Sequence, residues 1–193
     1  MLTIVLGPVP AGKSARAAAL AHATGKRVVL AATAAVDPTD AEMRERVERH
    51  RRDRPASWTL VETANPGSPS LVALLHHAGD DTCVLIDALG TWLAAQLRES
   101  HDLAERDPVA VLDALDAQGI ALAHALAITP AHAIVVAEET GWGVVPPTPL
   151  GRIFRDALGR LTQTIAQRAD RVELVVAGYA VDLRAIGTPV NQA

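Results

Sequence analysis

The 193-residue chain is short of several things, and each shortage excludes something. Cysteine occurs once, at Cys83, so no internal disulfide framework can form and a reducing compartment is expected. Three Trp, one Tyr and one Phe are the whole aromatic complement, although 49% of the residues are apolar; the core must be Ala, Val, Leu and Ile. Charge is nearly balanced: 18 Lys and Arg against 22 Asp and Glu leave a net −4, which gives no reason to expect nucleic acid or an anionic membrane as partner. No apolar run approaches the roughly 20 residues of a membrane span. The N-terminal apolar run has no basic segment before it and stops at Gly7, so it does not read as a secretory signal. What is left is the expectation of a cytoplasmic domain over residues 1–193, long enough to bury a sizeable core.

What the chain does contain is alternation. Short β-prone apolar runs recur at 2–6, 27–31, 58–61, 82–86, 133–136 and 172–176, separated by segments of helical character. One helix is expected from about 13 to Thr24. A second is expected over 39–52, with Thr39 or Asp40 as its cap, and a third where Leu150, Ile153, Phe154, Ala157, Leu158, Leu161 and Ile165 recur at i, i+3, i+4. Segments 63–70 and 141–149, rich in proline and glycine, read as loops. Strands alternating with helices predict an α/β fold, a mostly parallel sheet covered by helices on both faces.

The first strand runs directly into GPVPAGKS: Gly7, Pro8, Val9, Pro10, Ala11, Gly12, Lys13 and Ser14. Glycine, four free positions, then Gly-Lys-Ser is the phosphate-binding P-loop. Backbone N–H groups at a helix start converge on phosphate oxygens, Lys13 reaches the outer phosphates and Ser14 can ligate Mg²⁺. The competing reading is a glycine-rich turn with a surface lysine, which the strand-before, helix-after context disfavours. Pro8 and Pro10 lack an N–H, but they occupy early positions and spare the donors from Ala11 to Ser14. A P-loop also needs an acid to hold the metal, and Asp87 closes the run CVLID. The structural alternative for Asp87 is a helix N-cap.

A second unusual stretch surrounds His50, which is flanked by Arg49, Arg51, Arg52 and Arg54. A charge run is ordinarily a solvated helix face. Chemically, a neutral imidazole is also a good nucleophile toward phosphorus, and guanidinium groups beside it lower its pKa and bind polyphosphate. The residues alone leave both readings open. The remaining histidines lack such surroundings and read as structural or surface groups.

Taken in order, these segments resemble one family, the bifunctional adenosylcobinamide kinase / adenosylcobinamide-phosphate guanylyltransferases of cobalamin biosynthesis. The likeness covers nearly the whole chain: the N-terminal P-loop, AAT at 31–33, RVERHRRDRPASWTLVE, LIDALGTWL, and the long run EETGWGVVPPTPLGRIFRDALGRLTQTIAQRADRVELVVAG. The chain departs from the family pattern at Pro10-Ala11, where Arg-Ser is usual, and at Glu138 and Ala88, where Asn and Cys are usual. Thr162-Gln163 stands in place of Asn-Gln.

The resemblance implies a RecA-like P-loop NTPase fold and a homo-oligomer, a trimer. It implies phosphorylation of the aminopropanol hydroxyl of adenosylcobinamide, then transfer of GMP from GTP to that phosphate through a GMP–histidine intermediate. The matching histidine is His50, with Lys13 as the other catalytic residue. The P-loop residues, Ala32, Thr33, Ala34, Arg51, Arg52, Asp53, Arg54, Glu62 and Asp87 fall where the family contacts guanine nucleotide. Ser14 and Asp87 are the metal ligands. GTP and Mg²⁺ are the implied cofactors, with ATP the other candidate donor for the kinase step; adenosylcobinamide and its phosphate are the partners. Arg152 and Arg155 are candidates for holding phosphate or a partner subunit, against a surface ion pair with Asp156. Two other readings stand beside the bifunctional one. Only one transfer is retained, as a guanylyltransferase or as a small-molecule kinase, or the chain is a non-catalytic nucleotide-binding protein.

Overall fold

A computed structural model describes residues 1–34, 45, 55–65, 67–98 and 100–190. Its centre is a seven-stranded sheet of order β3-β2-β4-β5-β1-β6-β7. The strands are β1 (Leu2–Gly7), β2 (Arg27–Ala32), β3 (Thr59–Glu62), β4 (Thr82–Asp87), β5 (His132–Glu138), β6 (Arg171–Val176) and β7 (Tyr179–Asp182). The six expected strands are present within one or two residues of their expected ends and pair in parallel. The seventh, β7, returns antiparallel on β6.

Helices follow the strands: α1 (Lys13–Ala23), α2 (Leu71–His77), α3 (Leu89–Leu97), α4 (His101–Arg106), α5 (Pro108–Ile128), α6 (Pro149–Ala166) and α7 (Leu183–Ile186). Local chemistry starts several of them. Ser70, Asp107 and Thr148 accept at their side-chain oxygens from the N–H of the third residue on, and Pro108 and Pro149 stand at first helical positions that need no N–H donor. The loop expected to include Pro149 therefore ends at Thr148. The expected helix over 39–52 lies outside the described residues, apart from Glu45.

The strand residues divide between two cores. Ile4, Leu6, Val84, Ile86 and Val135 face a large cluster with α2, α3, α5 and α6; Val5, Leu85, Ile134 and Val136 face a smaller one with Ala17 and Ala21 of α1. Both faces of the central strands are thus covered, as the near-continuous apolar runs require. The 21-residue α5 is long and apolar enough to cross a membrane, which the run-length reading did not anticipate. Its Val111, Leu115, Leu122 and Leu126 are part of the large core.

Parallel pairing puts the carboxyl ends of β1 to β6 at one edge of the sheet. The register aligns Ala32 with both Glu62 and Asp87, and Gly7 with Glu138. In open parallel sheets this carboxyl edge is where ligands bind.

Candidate functional site: the carboxyl edge of the sheet

The edge is built around the turn from β1 into α1. Gly7 has φ 152°, and a Cβ on it would sit 2.2 Å from the Val175 carbonyl oxygen, so a side chain there would push β1 and β6 apart. Gly12 is the N-cap of α1 with φ 99°, a conformation glycine adopts without strain, and no side chain caps the helix. The first helical bond is Arg16 N–H to the Gly12 carbonyl (3.0 Å), so the N–H groups of 12–15 precede the ladder. No acidic residue stands in the first turn. A helix start of this kind, uncapped and without a first-turn acid, suits an anion.

Lys13 is buried, 7% exposed, and its Nζ donates to the Pro8 carbonyl at 2.8 Å. Pro8 thus contributes an acceptor that holds the lysine over the loop. The Ala11 carbonyl accepts from Gly178 N–H (3.1 Å), so the β6–β7 turn braces the loop from outside. Ser14 Oγ donates to Asp87 Oδ1 at 3.4 Å, across 73 residues of sequence. The helix after Asp87 is capped at Ala88. The N-cap reading of Asp87 therefore fails, and its carboxylate instead faces the P-loop serine.

Among the other expected positions, Thr33 is fully buried, donating to the Ala88 carbonyl and sharing a 2.6 Å bond with Thr91, which ties the end of β2 to the start of α3. Ala32 and Ala34 flank it, half-buried. Glu62 ends β3 and accepts from Asn65 Nδ2 at 2.7 Å. It lies four strands from β1, about 19 Å at ordinary strand spacing, so the sheet does not bring it to the phosphate cradle. His50, Arg51, Arg52, Asp53 and Arg54 lie outside the described residues. Arg152 donates to the Pro146 and Pro147 carbonyls, and Arg155 pairs with Asp156 at 3.4 Å; both guanidinium groups are engaged locally.

Two arrangements were missed in the sequence. Glu138 ends β5 between the Asp87 and Gly7 strands and accepts from Gly90 N–H at 2.8 Å; the signal, a carboxylate closing an apolar run, is the one that marked Asp87. Glu173, 1% exposed within β6, grips Arg16 through two 2.7 Å bonds and meets Arg171 at 2.6 Å. The signal there was a charge inside the strand run RVELVV. The guanidinium of Arg16, with Arg171 beside it, holds the Glu173 carboxyl below the usual carboxylate range, against the effects of burial and of the Asp182 carboxylate.

An uncapped helix start, a poised lysine and a serine–carboxylate pair at one edge suit a nucleoside polyphosphate, and the fold is that of a P-loop NTPase. Within that class the sequence is specific. The family described as cobinamide kinase / cobinamide phosphate guanyltransferase matches residues 3–183, and the chain belongs to it. It is 37% identical over 186 residues to the bifunctional adenosylcobalamin biosynthesis protein CobP of Pseudomonas aeruginosa, covering 95% of this chain and 98% of that protein. It is 34% identical over 188 residues to the protein CobU, named likewise, of Escherichia coli, covering 95% of this chain and all of the relative. CobU of Salmonella typhimurium is 34% identical over 186 residues, with the same coverage. The chain is thus a transferase of a bifunctional kinase and guanylyltransferase family.

Proposed function

We propose that this protein carries out both transfers of its family: phosphorylation of the aminopropanol hydroxyl of adenosylcobinamide, and transfer of GMP from GTP to the resulting phosphate. The observation that carries the reading is the convergence of Lys13, Ser14 and Asp87 on an uncapped helix start. The same observation argues against a decayed, non-catalytic site, because each part a triphosphate site needs is present.

The backbone N–H groups at the start of α1 cradle the phosphates. Lys13 exchanges the Pro8 carbonyl for phosphate oxygens, a short swing of a side chain already held over the loop. Ser14 and Asp87 would hold Mg²⁺, offering a hydroxyl and a carboxylate oxygen, hard donors of the kind that ion prefers. Bound there, Mg²⁺ supplies charge neutralisation of the triphosphate. In the kinase half, the acceptor hydroxyl oxygen attacks the γ-phosphorus, loses its proton, and the nucleoside diphosphate leaves. In the guanylyl half, an imidazole nitrogen of His50 attacks the α-phosphorus of GTP. A P–N bond forms, the bond to the β-phosphate oxygen breaks and pyrophosphate leaves. A phosphate oxygen of the corrinoid then attacks the same phosphorus, the P–N bond breaks and the imidazole is regenerated. GTP is the guanylyl donor and GTP or ATP the kinase donor. On this reading the enzyme works in the cytoplasm as a trimer.

Two labels separate the halves. With α-labelled GTP and Mg²⁺, the protein acquires an acid-labile, base-stable label that His50→Ala lacks. With γ-labelled donor, adenosylcobinamide is labelled. No protein label in the wild type overturns the guanylyl half; no corrinoid label overturns the kinase half.

A further inference from the structure

The chain has few aromatic residues, yet one of its three tryptophans is displayed at the carboxyl edge. The loop between β5 and α6 carries Trp142 at 62% exposure, Val144 at 94% and Val145 at 60%. Three large apolar side chains within four residues, all turned to solvent, form a local patch of the kind that marks a binding surface.

Its position is fixed by the sheet. Strand β5 pairs with β1 up to Gly7↔Glu138, and the Glu139 N–H donates to the Gly7 carbonyl at 2.8 Å, at the first residue of the P-loop. The loop thus leaves the sheet beside the phosphate cradle. Val9, on the cradle itself, is 56% exposed, so apolar surface is present on the ends of both neighbouring strands.

The loop is also held at both ends. Gly141 N–H donates to Glu139 Oε1 (2.8 Å). At the far end Arg152 donates to the Pro146 and Pro147 carbonyls (3.2 and 3.0 Å), and Thr148 caps α6. Anchored stems with an apolar tip make a preformed platform, which lowers the ordering cost of binding.

We infer that Trp142, Val144 and Val145 form the docking platform for the corrinoid acceptor, contacting the apolar faces of its macrocycle while its reactive arm reaches toward the P-loop. This rests on the proposed function. The donor's phosphates belong to the cradle, whose donors are backbone N–H groups, Lys13 and Ser14. With those polar groups committed to phosphate, the ring of the acceptor is left to the apolar side chains beside them, Val9 on the cradle and the loop after β5. The exposed indole of Trp142, on the loop that leaves the sheet at Gly7, is the largest of these, and burying it is a substantial favourable term.

The test uses the full-length enzyme with Trp142→Ser and the double variant Trp142→Ser/Val144→Ser. The KM for adenosylcobinamide in the kinase assay should rise about tenfold or more in the single variant, as loss of one large apolar contact predicts, and further in the double. The nucleotide KM and the acceptor-independent protein label from α-labelled GTP should not change. Trp142→Phe should recover most of the acceptor affinity, because an aromatic face returns. An unchanged acceptor KM in the double variant overturns the inference. So does a loss of acceptor affinity that tracks a change in oligomeric state by sedimentation, because the patch is then a subunit contact. Failure of the wild type to label or to phosphorylate corrinoid is a different result, and counts against the proposed function instead.

Discussion

Two polar links tie the P-loop helix α1 to the sheet, and they start only two residues apart. Arg16 reaches Glu173 of β6 through two bonds of 2.7 Å to a carboxylate that is 1% exposed. Ser14 reaches Asp87 of β4 through a single bond of 3.4 Å. The first is short, bidentate and reinforced by Arg171, so its hydrogen-bonding capacity is used up inside the protein. The second is long and single, and it lies at the carboxyl edge of the sheet. One link holds the helix in place; under the proposed function the other is the one exchanged for a metal and phosphates. A P-loop needs both, because a precise cradle must be rigid where it joins the fold and replaceable where it meets the ligand.

The contrast can be broken from the ligand side first. Lys13→Ala should cost about 10³-fold or more in both transfers, the scale of losing a preorganised charge at a phosphoryl centre. Its unfolding midpoint should move little, because the Pro8 carbonyl it leaves can meet water. Asp87→Asn should lower turnover by about 10²-fold and raise the metal concentration needed for half-maximal activity, again with a small change in stability.

From the other side, Glu173→Gln leaves Arg16 and Arg171 facing a neutral group. The expected cost is about 2–3 kcal/mol in urea unfolding, less than for a fully enclosed pair because the Arg16 side chain is 35% exposed. At temperatures where the variant is folded, both transfers should persist. A smaller effect follows from pH. Glu173 is depressed in the native state, so its contribution is fully present above the unfolded carboxyl value of about 4.3 and is lost as pH falls through the lower native value. Urea midpoints between pH 7 and 3 should fall more steeply in the wild type than in Glu173→Gln. The smallest effect concerns Cys83. Burial pushes its thiol up to about 11, and iodoacetamide at pH 8 should leave it unmodified in native protein while alkylating it fully in urea.

The same contrast explains what could be read from the sequence. Ser14 and Asp87 were legible because each carries a local mark: one ends a Gly-Lys-Ser turn, the other closes an apolar strand. Glu173 carried a mark too, as a charge inside a strand, but its partner lies 157 residues away and nothing local names it. Helix α5 was hidden because it is apolar almost all round, so period 3.6 has little polar contrast to show. Strand β7 was hidden because its four residues YAVD are mostly exposed on the sheet edge. The role of Pro8 was misweighted. It was considered only as a missing donor, whereas its carbonyl is the acceptor for Lys13.

The central claim is that this edge activates GTP for transfer through the enzyme to a corrinoid phosphate. The most direct measurement is a single-turnover chase. Protein labelled with α-labelled GTP is freed of nucleotide and mixed with adenosylcobinamide phosphate. The account predicts that the label leaves the protein and appears stoichiometrically on the corrinoid, and that pyrophosphate instead of corrinoid returns it as GTP. A label that stays on the protein through both chases, while the same preparation turns over normally, would contradict it.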